Sequence, residues 1–195
     1  MNYRTLPPGY RYAGTMDFMR NRAQMKAVVT LSLALVLLPV AFGLLLVPVG
    51  PSWRLMASRW FMWPGLGLAL VAYIPLHELT HGVAMFALSG VKPKYGLKLP
   101  YAWCGSTVWF ERRDHVITAL APVALWGVGI QLAIARAPVE WFWPLWVLQI
   151  SNLSGSAGDM WCVWELMRMK GELLIQDTGV RMRIFKRPPC EDDAR

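Results

Sequence analysis

Residues 75–85 read PLHELTHGVAM, and within them His77-Glu78-Leu79-Thr80-His81 forms a HExxH pattern. It sits in an apolar run from about Trp60 to Gly90 that holds no Lys, Arg or Asp and only this one Glu. On a helix, histidines at i and i+4 share one face a turn apart, so both rings can reach a single ion. The Glu between them can take the proton of a water polarised by that ion. With 3 His in 195 residues, such a pattern is expected by chance only about 0.001 times. The competing structural reading is a pair of helix-interior histidines satisfied by neighbouring carbonyls. Energetics count against it, because an unpartnered intramembrane charge costs roughly 2.5–3.5 kcal/mol, whereas a bound zinc contributes about 10–16 kcal/mol.

Hydrophobic residues make up 55% of the chain and charged residues 16%. Four apolar blocks, at about 26–51, 60–90, 116–135 and 141–166, approach or exceed the length needed to cross a hydrocarbon layer of roughly 30 Å. The fold class expected from this is an α-helical integral membrane protein with about four transmembrane helices. A short β-hairpin, about 94–110, is expected between the second and third spans. Residues 1–25 read as a cytoplasmic N-terminal arm, 26–168 as the membrane-embedded core and 169–195 as a small cytoplasmic tail. Within the tail, Asp177-Thr178-Gly179 reads as a hairpin turn.

Lys and Arg concentrate in the arm, the hairpin loop and the tail, which together hold 17 of the 20, leaving Arg54, Arg59 and Arg136 elsewhere. That bias predicts both termini on the cytoplasmic side of the inner membrane, with multiple passes between them. Trp53, Trp60, Trp63, Trp141, Trp143 and Trp146 fall at the opposite predicted boundary. The net charge of +8 flanks apolar blocks and lines no aromatic groove, which favours anionic lipid headgroups over nucleic acid as partner. Cys104, Cys162 and Cys190 are too few and too scattered for a disulfide framework or a thiolate zinc site.

A catalytic zinc takes three protein ligands and leaves a position open. Asp159 and His115 are the candidates for the third ligand. Asp159 lies about as deep in the fourth block as His77 does in the second. The small-residue run SNLSGSAGD before it allows close helix approach, although a polar helix–helix contact would need the same approach. His115 follows Glu111-Arg112-Arg113-Asp114 and reads as a solvated or interfacial side chain. Asn152, two turns before Asp159, can contact a substrate carbonyl or oxyanion, or equally serve as a helix–helix hydrogen bond.

HELTH within a span, the strand-rich loop after it, APVAL at 121–125 and SGSAGD at 154–159 together resemble membrane-embedded zincins of the site-2-protease type. They resemble more closely a family of small bacterial membrane proteins labelled zincin peptidases. The resemblance spans about 60–185. It implies one zinc bound by His77, His81 and Asp159, Glu78 as general base, and cleavage of a peptide bond in or next to the membrane. Two other functions remain compatible with the motif: hydrolysis of a lipid or small amide or ester, and non-catalytic metal binding. Transport is disfavoured because the spans hold almost no further ionisable residues.

Overall fold

The computed structural model describes residues 2–18, 20–47, 49–98 and 101–188. The N-terminal arm forms strand β1, Arg11–Met16. Asn21 then opens helix α1, Arg22–Leu46, its side-chain oxygen accepting from the backbone N–H groups of Ala23 and Gln24 at 3.0 and 3.2 Å, which satisfies two of the free donors of a helix start. Helix α2, Val49–Ser58, leads to the motif helix α3, Met62–Ser89, which stops at Gly90 because that residue takes a left-handed φ of 66°. Strands β2, Lys94–Lys98, and β3, Tyr101–Gly105, form an antiparallel hairpin. The chain continues through β4, Phe110–Glu111, helix α4, Arg112–Arg136, and a 3-10 turn at Val139–Trp141. It closes with helices α5, Phe142–Gly155, and α6, Ala157–Arg168, and strands β5, Leu173–Asp177, and β6, Met182–Lys186.

The sheet corrects the expected fold class. Strands β1, β6, β5 and β4 form one antiparallel sheet in that order, so the chain is a mixed α and β protein and not a four-span all-helical one. Arm and tail, expected as separate appendages, pair with each other across some 170 residues of sequence, Arg11 opposite Lys186. Strand β5 is central, and Leu173, Leu174 and Ile175 are buried. Leu173, Ile175, Met182 and Ile184 join Met16, Cys162 and Leu166 in one core that seats the sheet on α6. This burial makes the tail part of the folded unit, since apolar side chains of this size each gain about 1.5–3 kcal/mol on leaving water.

Two further expectations fail on local grounds. The fourth apolar block is not one helix: α5 ends at Gly155 and α6 begins at Ala157. At the break the Ser156 hydroxyl donates to the Asn152 carbonyl at 2.8 Å, and Gly155 and Gly158 offer little helix propensity to carry the turn through. Among the described residues, only α1 and α4 combine the length and hydropathy of a membrane-crossing helix. The hairpin is also shorter than 94–110, because Phe110 and Glu111 leave it to pair with Ile175 and Leu174 of the larger sheet. Cys104 and Cys162 are free and buried, while Cys190 lies outside the described residues. Trp146 packs inside, where Gly43 leaves room for its indole, and donates to the Pro39 carbonyl at 2.9 Å.

Candidate metal centre

Helix α3 presents His77 and His81 on one face, and α6 presents Asp159 in its first turn, where the helix dipole favours a carboxylate. The ligating atoms converge. His77 Nε2 lies 3.3 Å and His81 Nε2 3.5 Å from Asp159 Oδ2, and the two imidazole nitrogens are 3.2 Å apart. These three residues form the one cluster of potential metal ligands among the described residues.

The opposite edge of each ring decides what that cluster can hold. Asn152 is fully buried and its amide nitrogen donates to the Val123 carbonyl at 3.3 Å, so its oxygen faces Tyr73. The Tyr73 hydroxyl donates its single proton to that oxygen at 2.6 Å. It can then only accept from His77 Nδ1, 3.0 Å away. Likewise His81 Nδ1 lies 2.9 Å from the Thr118 carbonyl, which can only accept. Both neutral rings therefore carry their proton on Nδ1 and turn an Nε2 lone pair toward Asp159.

Two lone pairs and a carboxylate oxygen facing one another repel unless a cation lies between them. Donor atoms of a tetrahedral zinc, at bond lengths of about 2.0–2.1 Å, stand about 3.3 Å apart. The observed separations fit that ion.

The site opens on a cavity of about 180 Å³ whose polar walls include Glu78, His81, His115, Asp159 and Asp177. Glu78 follows His77 on α3, and the backbone N–H of Cys104 on β3 is directed at its carboxylate. The edge of β3 that β2 does not use thus faces the site. Glycines permit this approach: a Cβ on Gly82 would run into the Tyr95 phenol of β2, and one on Gly105 would run into the backbone of Thr178 and Gly179. The tail turn closes the far wall. Gly179 adopts φ 77° and donates its N–H to Asp177 Oδ1 at 2.8 Å. Burial pushes the Asp177 carboxyl up to about 6, and burial likewise pushes the Cys104 thiol up to about 12, so that thiol stays protonated.

The structure thus brings together His77, His81, Asp159 and, on the same cavity, Glu78. Of the two roles the sequence leaves open for Asn152, the structure shows the helix–helix hydrogen bond: its amide joins Tyr73 of α3 and the Val123 carbonyl of α4, and it acts on His77 through Tyr73. One residue stands differently from the sequence reading. His115 is not a solvated side chain but 1% exposed, because it falls on the inner face of α4. Its two ring nitrogens have no hydrogen-bond partner among the described residues, which in a buried site costs about 1–3 kcal/mol per group.

Sequence reasoning missed Tyr73, Thr118 and Asp177. Tyr73 carried a usable signal, one turn before His77 on the same face. Thr118 acts through its backbone carbonyl, and Asp177 reaches the cavity only through the fold of the tail, so neither is marked by residue type.

A family model described as "putative zincin peptidase" matches residues 70–174, which takes in the motif helix, the hairpin, α4 and the Asp159 helix. No curated protein and no solved structure gives a match.

Proposed function

The chain belongs to this zincin peptidase family, and on that premise we propose that it is a zinc-dependent metallopeptidase hydrolysing peptide bonds in or next to a membrane. The observation that carries the metal assignment is the convergence of two Nε2 lone pairs and Asp159 Oδ2, with each ring's tautomer set from behind. His77, His81 and Asp159 would hold one zinc, which would supply Lewis acidity toward water and the scissile carbonyl. Glu78 accepts the proton of the attacking water and returns it to the departing amine. Helix α3 keeps Glu78 beside the ligands, and Cys104 N–H steadies its carboxylate.

A substrate peptide must arrive extended, because a helix hides its carbonyls. The edge of β3 that β2 does not use offers main-chain groups for such a strand up to Cys104, beyond which the tail turn packs on it, Ser106 N–H donating to the Asp177 carbonyl at 2.7 Å. Placement at the inner membrane, with lipids as partners, is supported by the side chains of α1 and α4 that the fold leaves uncovered. Leu37, Leu38, Leu45, Leu125 and Val128 are all exposed, a large apolar surface for a protein in water. The sheet also gathers the arm, the start of α4 and the tail, the basic segments that the charge bias assigns to the cytoplasmic side.

Zinc per chain, measured on detergent-purified protein, tests the site. About one zinc in wild type and in Glu78→Gln, with loss in His77→Ala and Asp159→Ala, is the expected result. Metal-replete wild type without zinc would overturn it. Recovery of the intact chain in the carbonate-washed soluble fraction of cells would overturn the membrane placement alone.

A further inference from the structure

Asp177 is a carboxylate at a position where the strand pattern calls for an apolar side chain. Side chains alternate along a strand, so on β5 Asp177 shares a face with Leu173 and Ile175, which are buried in the core that seats the sheet on α6. Its partner on β6 is Met182, and Met182 in turn stands opposite Met16 of β1. Directly opposed residues share a face with Cβ atoms about 5 Å apart, so Met16, Met182 and Asp177 form one row across the sheet. All three line the cavity of the ligand cluster. A charge on such a face costs stability unless something pairs with it.

The chain itself supplies only part of that pairing. Oδ1 accepts the Gly179 N–H at 2.8 Å, and among the described residues no Lys or Arg pairs with the carboxylate. Arg181 is the one Lys or Arg on the described cavity wall, and it turns away to Asp17, its Nε 3.3 Å from the Asp17 Oδ2. The turn that carries Asp177 is fixed. Ser106 donates its N–H to the Asp177 carbonyl at 2.7 Å, and Gly179 lies against Trp103 and the Cys104 carbonyl of β3. The position is also reachable, because Asp177 is only partly buried and Val180 and Arg181, both exposed, lie on the rim of the cavity. A divalent ion at the cluster is balanced by Asp159 and Glu78, so Asp177 leaves the cavity with excess negative charge.

The row has the form of a lysine side chain. Methionines are flexible thioethers that adapt to a run of methylenes, and the carboxylate at the end of the row matches an ammonium. Lysine lays its stem along apolar surface while its charge reaches a polar group. The space suffices: the cavity of about 180 Å³ exceeds the roughly 150 Å³ that takes up benzene, and a lysine side chain has fewer heavy atoms than that ring. Segments flanking membrane spans on the cytoplasmic side are rich in lysine and arginine, so a substrate of the kind proposed above carries the group.

Resting on the metallopeptidase reading, we propose that Asp177 determines specificity: Met16, Met182 and Asp177 form a pocket for the side chain of a substrate lysine flanking the scissile bond. Its methylenes lie on the two methionines and its ammonium donates to the Asp177 oxygen that Gly179 does not use. Asp177 takes no part in breaking the bond.

The test uses the full chain in detergent, loaded with zinc, and phosphinic peptides that differ only in one residue, lysine, norleucine or glutamate, placed on either side of the phosphinate. Norleucine keeps the stem of lysine and lacks its charge. In one of the two positions wild type should bind the lysine peptide about 10–100-fold more tightly than the norleucine peptide, the range of one hydrogen bond to a charged group, and the glutamate peptide most weakly. Asp177→Asn can still accept from Gly179 and should keep its zinc; it should bind the norleucine peptide as wild type does and the lysine peptide no better. Equal binding of lysine and norleucine by wild type in both positions overturns the proposal, and this comparison needs no variant to fold. A lysine preference that survives in zinc-loaded Asp177→Asn overturns it as well. Wild type that lacks zinc, or holds zinc and binds none of the phosphinates, overturns the metallopeptidase reading itself and this inference with it.

Discussion

The rear and the front of the histidine pair are built on opposite principles. Behind the rings each polar atom has a partner: Val123 carbonyl, Asn152 amide, Tyr73 hydroxyl and His77 form one chain, and the Thr118 carbonyl holds His81. In front, the His115 ring has no hydrogen-bond partner among the described residues, and Glu78 and Asp177 face the cavity with one backbone N–H each. A satisfied network of buried groups fixes geometry, whereas buried groups left open cost stability unless something arrives to use them. The rear is a holder and the front a receptor, and the two should respond differently to substitution.

The largest effect belongs to the front. Glu78→Gln should keep its zinc yet lower turnover of a cleaved peptide about 10²–10⁴-fold, the usual contribution of a general base. A variant that loses zinc in parallel with activity would erase the distinction between receptor and holder.

Substitution at the rear should show the inverse pattern. Tyr73→Phe removes the hydroxyl linking Asn152 to His77, and zinc affinity should drop about 10–100-fold while activity at saturating zinc changes little. Competition against a chelator of known affinity measures it. An unchanged affinity would mean that the tautomer is set without Tyr73.

Smaller effects belong to the walls. A methyl on Gly105 meets backbone of the tail turn, which cannot swing aside like a side-chain end. Gly105→Ala should therefore cost about 1–3 kcal/mol of stability and raise hydrogen exchange at 177–181. Equal exchange in variant and wild type would detach the tail from the site.

The smallest effect concerns Asp177. Its folded value of about 6 lies above the ordinary 3.8, so its contribution to stability is full below 3.8 and is lost as pH rises through 6. Asp177→Asn should remove that slope, worth no more than about 1–2 kcal/mol after allowing for solvent, in unfolding midpoints compared at pH 4 and pH 7. A slope that persists in the variant belongs to another group.

The sequence by itself determined the parts that depend on local spacing. His77, Glu78 and His81 share a helix because HExxH has the helical period, Asp159 lies level with them by residue count, and a hairpin after the motif helix was expected, although it ends at Gly105 and not near residue 110. Only the tertiary structure decided the rest. Strand partners carry no address in the sequence, so the pairing of residues 11–16 with 182–186 was invisible, and with it the sheet that replaces an all-helical fold. The break at Ser156 interrupts an apolar block whose length and hydropathy read as one helix. Whether His115 meets water or a cavity, and whether Asn152 faces substrate or Tyr73, depends on which face of a helix its neighbours cover. Periodicity encodes one element's geometry, while tautomers, burial and open valences are set by atoms that other elements bring.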